Sequence, residues 1–442
     1  MKGSLNTYNP NGPAVILGNA GSIFPRQLAA QWVARGLDVV IVTSNVTDDQ
    51  SCPDGVRLVD SRDFRRPWMR WVRGVNPVLR WLERNVPRLL RRRYQRRTGR
   101  EQPESWELFW VDHFWDSFSR ARAAVSVHPR FVFGHEVCSY GLATVLCRGV
   151  PRILFPWGGD IYNAAECSPF IHAMVRYSLR HADLIVPSAI MAARHLSRRY
   201  GISADRVHAV SWGVDPSLFR RATSEERAEI CCRYDIDPRS TIVLNVRRFQ
   251  QLWGSRTALE AFLKLAAERA DTHFVLFGGA GLEEEVHQAG TRIAEARLSQ
   301  RFTLLEGNTP LMECAKLMSV ADVFTSLMGR GDMRSASILQ AMAAGGAPVI
   351  ADLPEYREME RLGFAARFVS PADSTDTVAA LRSLLDDPQR RQRMVEQNQR
   401  YIEEYEAADR QMDKLLQLID SASLPYRAEW EKTHPVSNDS SP

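Results

Sequence analysis

The chain has 442 residues, 45% hydrophobic and 25% charged, an ordinary globular composition and enough for two or three domains with their own cores. No apolar run approaches the roughly 20 residues of a membrane-spanning helix, and Met1 to Pro13 is polar, unlike a signal peptide. The net charge is +5, yet Arg62 to Arg100 alone holds 14 arginines, no lysine and two acids, so the rest of the chain is acidic by 7. The seven cysteines form no C-x-x-C and no Cys/His cluster with zinc spacing. Reduced thiols, a cytoplasmic setting and no structural metal are expected.

In chain order, Ala14 to Gly18 reads as a buried strand, Gly18-Asn19-Ala20-Gly21 as a glycine turn, Arg26 to Arg35 as a helix and Asp38 to Thr43 as a second strand. This is a βαβ opening without a full G-x-G-x-x-G, so a dinucleotide site is weakly signalled. The arginine segment, residues 62–100, carries Trp68, Trp71, Val75, Val78 and Leu82 at helical spacing, broken by Pro67, Pro77 and Pro87. Such a stretch can lie on an anionic membrane, each basic residue contributing about 1 kcal/mol. The alternative is a solvated basic face whose aromatics pack into the domain. Nucleic acid is not expected, because no recognised binding module or aromatic platform accompanies it.

Strands Phe131 to Gly134 and Arg152 to Pro156 end in Gly134-His135-Glu136 and Trp157-Gly158-Gly159-Asp160, placing polar groups at strand C-termini. Leu184 to Pro187 is a strand, Ser188 a helix cap, Ala189 to Tyr200 a helix and Val207 to Ser211 a strand. After a linker with a helix, Phe219 to Arg239, the alternation restarts. Strands are expected at 241–246, 273–277, 302–305, 323–326 and 348–351, with helices at 255–268, 282–297, 311–320, 335–344 and 374–385. Residues 389–420 form a long helical region broken near 404–408, and 424–442 a tail. The fold class is α/β, with two doubly wound parallel-sheet domains.

The stretch 322–358 concentrates the chemistry. The loop Met328 to Asp332 sits between a buried strand and a helix that Ser335 can cap and Gly345 and Gly346 stop. Strand C-terminus and helix N-terminus together favour an anion such as a diphosphate. Asp332 is followed by seven residues and Gln340, within LQAMAAGGAPV (339–349).

That frame resembles the donor-site signature of family-4 retaining glycosyltransferases of the GT-B fold, an acidic residue, seven residues and Glu inside LEAMA-x-G-x-PV. The second carboxylate is here an amide. HADLIVPS (181–188) and VHAVSWGVDPSLF (207–219) resemble the family's AD-x-I-x-x-S and V-x-x-N-G-V-D-x-x-x-F. Arg248, Trp253 and Gly254 align with G-R-L-x-x-x-K-G, where Trp253 replaces the Lys. Trp157-Gly158-Gly159-Asp160 stands where many members have His-Gly-x-Asp.

The resemblance implies two facing Rossmann-like domains with a cleft between them. Residues 1–214 would bind acceptor and 215–404 donor, with a helix near 405–423 packing back on the first domain. It implies metal-independent transfer, with no cofactor beyond a nucleotide-diphosphate sugar as co-substrate, to a glycan, lipid-linked or small-molecule acceptor. The donor set is Arg248, Trp253, Gly278, Gly279, Glu306, Gly307, Arg330, Asp332, Met333, Arg334, Ser335 and Gln340. Arg248 would meet the diphosphate, with Arg256, Arg330 or Arg334 replacing the missing Lys. Asp332 would bind donor-sugar hydroxyls and Gln340 the ribose. The acceptor set is Gly18, Asn19, Gly21, His135 and Trp157, with Asp160 and His135 catalytic. A cytoplasmic protein at the inner face of the plasma membrane follows. The rival reading is a non-catalytic nucleotide- or sugar-binding paralogue, and a third makes the basic segment a nucleic-acid binder.

Overall fold

The computed structural model describes residues 7–44, 52–65, 104–164, 169–249, 253–279, 283–307, 309–329 and 333–434. Residues 66–100 of the basic segment, Arg330 and Asp332 lie outside the described residues. The chain divides into two compact units, residues 1–210 with 414–442, and residues 211–413.

The first unit runs β1 (Ala14–Leu17), α1 (Ile23–Val33), β2 (Val39–Thr43), β3 (Val56–Asp60), α2 (Glu104–Val125), β4 (Phe131–His135), α3 (Leu142–Leu146), β5 (Arg152–Phe155), α4 (Pro169–His181), β6 (Leu184–Ile185) and α5 (Ile190–Tyr200). Its sheet is parallel, in the order β3-β2-β1-β4-β5-β6. β1 is an unbroken apolar run and β2 is one as far as its last residue, Thr43; both are buried along their whole length, as central parallel strands covered on both faces must be.

The second unit contains α6 (Ser224–Arg233), β7 (Thr241–Arg248), α7 (Ser255–Glu268), β8 (Thr272–Phe277), α8 (Glu283–Glu295), β9 (Phe302–Leu305), α9 (Leu311–Val320), β10 (Val323–Ser326), α10 (Ala336–Ala343), β11 (Ala347–Ala351), α11 (Pro354–Arg361), β12 (Arg367–Val369), α12 (Ser374–Leu385) and α13 (Pro388–Tyr405). Its sheet is ordered β12-β11-β10-β7-β8-β9 and is also parallel. Alternate residues of β8 serve opposite faces. Val275 and Phe277 pack with α9, α10 and α11, whereas Phe274 and Leu276 pack with α7, α8 and α12. Counted within each unit, the strand order is the same, 3-2-1-4-5-6. The switch points therefore fall at β1/β4 and at β7/β10, where ligands of open α/β sheets bind beyond the strand carboxyl ends.

The structure differs from the sequence-based expectations at four places. β3 was not foreseen, because it is a half-exposed edge strand whose Arg57 is ion-paired with Asp38 at 2.8 Å. Val207 to Ser211 makes one bridge, Val207 to Ile185, and no strand. Pro187, just beyond β6, has no N–H to continue a ladder. The tail expected from Leu424 is helical as far as Thr433, within α14 (Ala408–Thr433). There the Tyr426 hydroxyl donates to Asp183 Oδ2 at 2.9 Å, and Tyr426 and Trp430 pack on the first unit's core. In addition, Ser188 does not cap α5: Ala189 is the residue before the helix and no side chain caps it.

Candidate functional site

In the second unit the switch-point loops are shaped by buried polar side chains. Asn245 Nδ2 donates to the carbonyl of Arg247 (2.9 Å) and to Ser255 Oγ (3.1 Å), and Ser255 Oγ donates to the carbonyl of Arg248 (2.8 Å). Thr325 Oγ1, on the neighbouring strand, donates to Asn245 Oδ1 at 3.2 Å. The ladder with β8 shifts register between Asn245 and Arg248, which turns the chain outward. Arg248 is left exposed, its guanidinium 6.0 Å from the Trp253 ring, while Arg247 lies 5.2 Å from the same ring. Gly254 then has φ +73°, and a Cβ there would sit 2.3 Å from the carbonyl oxygen of Leu327. Only glycine allows the loops after β7 and β10 to touch in this way.

Ser335 precedes α10 in extended conformation, but its hydroxyl meets Ser337 Oγ (3.0 Å) and caps no amide. Among the described residues, no side chain caps the first turn of α10. Gln340 is half-buried on this helix. Buried Met333 offers its carbonyl to the Tyr356 hydroxyl at 3.2 Å. Arg334, expected as a free cation for phosphate, is instead ion-paired at 2.9 Å with Glu406, which is fully buried. Farther along the sheet, Gly278 donates its N–H to Leu305 at 2.7 Å, where a Cβ would fall 2.3 Å from that oxygen. Gly279 is buried, Glu306 exposed, and Gly307 takes φ +63°. An open cleft of about 310 Å³ lies between α6 and α9, lined by residues such as Arg220, Glu226 and Met312. None of its lining residues is on the loops after β7 or β10.

In the first unit, Gly18 ends β1 close to β4: a Cβ there would be 3.6 Å from that of His135. The Asn19 side chain accepts from the Gly21 N–H at 2.9 Å and fixes the glycine turn. His135 is buried and stacks on Phe155, with Trp157 edge-on at 5.2 Å. Burial holds its pKa down at about 3, so the ring is neutral. Phe24 packs edge-on to Trp157 at 5.0 Å. Asp160 is buried and accepts from the Val137 N–H at 2.7 Å through Oδ2. Its Oδ1 and the Trp157 Nε1 are buried without a hydrogen-bond partner among the described residues. Burial, and then the charge of Glu136, hold Asp160 well above the usual carboxylate range. Glu136 itself has φ +91° and is pushed up by burial to about 7, against the opposing pull of Ser139 and Arg120. Buried Arg120 donates to the Ser139 carbonyl (2.9 Å) and to Ser44 Oγ (2.8 Å).

The second unit thus brings Arg248, Trp253, Met333, Arg334 and Ser335 to one switch point. Gly278, Gly279, Glu306 and Gly307 follow the adjoining strands β8 and β9. The first unit gathers Gly18, Asn19, Gly21, His135, Trp157 and Asp160 at the other. Sequence reasoning did not single out Glu136, although an acid directly after a strand-end histidine was a visible signal. Glu406 had no local signal. Among the described residues, no three metal-ligating side chains come together, and no helix is long and apolar enough to cross a membrane.

Residues 227–401 match the family model described as "Glycosyl transferases group 1". This group 1 region covers nearly all of the second unit from α6 onward. An alpha-D-kanosaminyltransferase of Streptomyces kanamyceticus is 25% identical over 221 residues, 50% of this chain and 56% of that protein. A phosphatidyl-myo-inositol mannosyltransferase of Mycolicibacterium smegmatis is 29% identical over 203 residues, 46% of this chain and 49% of that one. The chain spans about half the length of these curated relatives. Among solved structures, a sucrose-phosphate synthase from Thermosynechococcus elongatus superposes with TM-score 0.69 at 15% identity, covering 93% of this chain and 98% of that one. Anabaena HepE in complex with UDP-glucose gives 0.65 at 12% identity, covering 93% and 100%. The fold is GT-B.

Proposed function

We propose that the protein is a retaining, metal-independent glycosyltransferase that uses a nucleotide-diphosphate sugar. The observation that carries this is the β7/β10 switch point, where Arg248 is exposed and no side chain among the described residues caps the first turn of α10, a pairing that suits an anion. Both can stabilise a diphosphate as it leaves, and neither needs to reorganise. The UDP-glucose complex of HepE supports a nucleotide sugar as the donor. Gly278 admits close backbone approach, Glu306 and Gly307 border the base, Gln340 binds ribose hydroxyls and Asp332 those of the sugar. Without a side chain acting as covalent nucleophile, the acceptor attacks on the face the diphosphate leaves.

The first unit holds the acceptor. Trp157 with His135 and Phe24 supplies an aromatic wall for a sugar ring, Gly18 to Gly21 its floor. Buried Trp157 Nε1 and Asp160 Oδ1 are groups that an acceptor hydroxyl would satisfy. The arginine segment 62–100 would hold the enzyme on an anionic membrane, at the cytoplasmic face where lipid-linked acceptors lie.

The rival reading, a non-catalytic binding paralogue, is favoured by Trp253, which packs on Arg247 and Arg248 where the family pattern has Lys. Incubation with UDP-, GDP- and ADP-sugars, with and without anionic vesicles and sugar acceptors, separates the two. Acceptor-dependent release of one nucleoside diphosphate is expected. Nucleotide binding without turnover of any donor would establish the rival.

A further inference from the structure

Arg334 belongs to a buried cluster. Its Nη1 lies 2.9 Å from Glu406 Oε1, with the two side chains 10% and 0% exposed. Tyr401, on α13, donates its hydroxyl to the same oxygen at 2.8 Å. Burying two charges is costly, and a well-packed apolar pair would hold the core about as well. What an ion pair adds is a fixed position for each partner.

The two positions are informative. Arg334 stands two residues before α10, at the carboxyl end of β10, beside Met333, whose carbonyl Tyr356 already holds. Glu406 occupies the break between α13 and α14. Its carbonyl accepts from the Val214 N–H at 2.7 Å, and the Ala408 N–H donates back to Val214 at 3.1 Å. Gly213, with φ +70°, lies against Ala408 so closely that a Cβ would be 2.4 Å from its Cα. Residues 211–215 and 406–413 are the two chain segments that lead out of the second unit. Glu406 is therefore fixed to both exits, and Arg334 ties the α10 N-terminus to Glu406.

We propose that Arg334 is a positioning residue, which through Glu406 seats the first turn of α10 for the donor diphosphate and links that turn to the segments leaving the unit. The proposal rests on the donor-site reading above. It is tested by measuring dissociation constants for UDP, GDP and ADP by calorimetry, with donor KM and kcat where turnover is seen, alongside thermal unfolding. Arg334→Leu and Glu406→Leu each leave one buried charge unpaired and are expected to lower Tm. The double variant Arg334→Leu/Glu406→Leu removes both charges and is expected to regain most of the lost Tm. Its affinity for the preferred nucleotide should still be about tenfold weaker than wild type, with donor KM raised more than kcat is lowered. A purely structural pair predicts wild-type affinity in the refolded double variant, and that result overturns the proposal alone. If the double variant does not fold, Arg334→Met/Glu406→Gln removes the link to Arg334 while the amide keeps the side-chain shape and the Tyr401 bond; unchanged affinity there overturns the proposal equally. A wild-type protein that binds none of the three nucleotides removes the donor-site reading, and the proposal with it.

Discussion

The two switch points have the same strand order and opposite chemistry. At β1/β4 the strand ends are closed by aromatic rings around a neutral histidine, and the two carboxyl groups there are both held toward their protonated forms. At β7/β10 the strand ends carry an exposed guanidinium and a helix N-terminus that no side chain caps among the described residues. Topology fixes where a ligand can sit, and the residues on the following loops decide its sign and polarity. A sugar hydroxyl suits the first environment and a diphosphate the second.

The sharpest way to break that contrast is Arg248→Ala. It removes the exposed cation while leaving the Asn245 and Ser255 bonds to backbone in place. Donor kcat/KM is expected to fall by about 10² to 10³, roughly 3–4 kcal/mol, with Tm little changed. A folded variant of wild-type activity would remove the phosphate assignment. Gly254→Ala comes next. It forces a Cβ against the Leu327 carbonyl at positive φ, and urea unfolding should show a loss of about 2 kcal/mol, accompanied by weaker nucleotide binding. An equally stable Ala variant would mean that the two loops need not touch.

The third test probes the other switch point. The folded pKa of Glu136, about 7, lies above its ordinary value of 4.5, so the folded state binds the extra proton between these pH values. Raising pH through that window destabilises the protein through this group. Glu136→Gln keeps the side chain neutral, so its stability advantage over wild type should grow from pH 4.5 to 7 and then level off. Urea unfolding at pH 5 and pH 7.5 measures the difference. An advantage that does not grow would show that Glu136 is solvated in the folded protein.

Much of the second unit was legible because its signals are local. The strands 302–305 and 323–326 and the helices 255–268, 311–320 and 374–385 have the expected bounds. Each is an apolar run or an apolar stripe bounded by polar, Gly or Pro residues. The break after Tyr405 also falls within the expected span. What was not legible depends on partners distant in sequence. The engagement of Arg334 requires Glu406, 72 positions away, and the outward turn at Arg248 requires Thr325 on another strand. β3 was hidden because an edge strand needs no continuous apolar run. Of the site, the glycines, Arg248 and Asp160 stood out by motif, whereas the positive φ and raised pKa of Glu136 arise only once the strand ends are packed together.

Helix α14 bears on how this protein is made. Residues 211–413 form one unbroken stretch, but the first unit is assembled from two pieces, residues 1–210 and 414–442. Tyr426 bonds Asp183 and packs with Tyr8, and Trp430 rests on the same core. During ribosomal synthesis, the unit that emerges first is therefore the one whose core is sealed last.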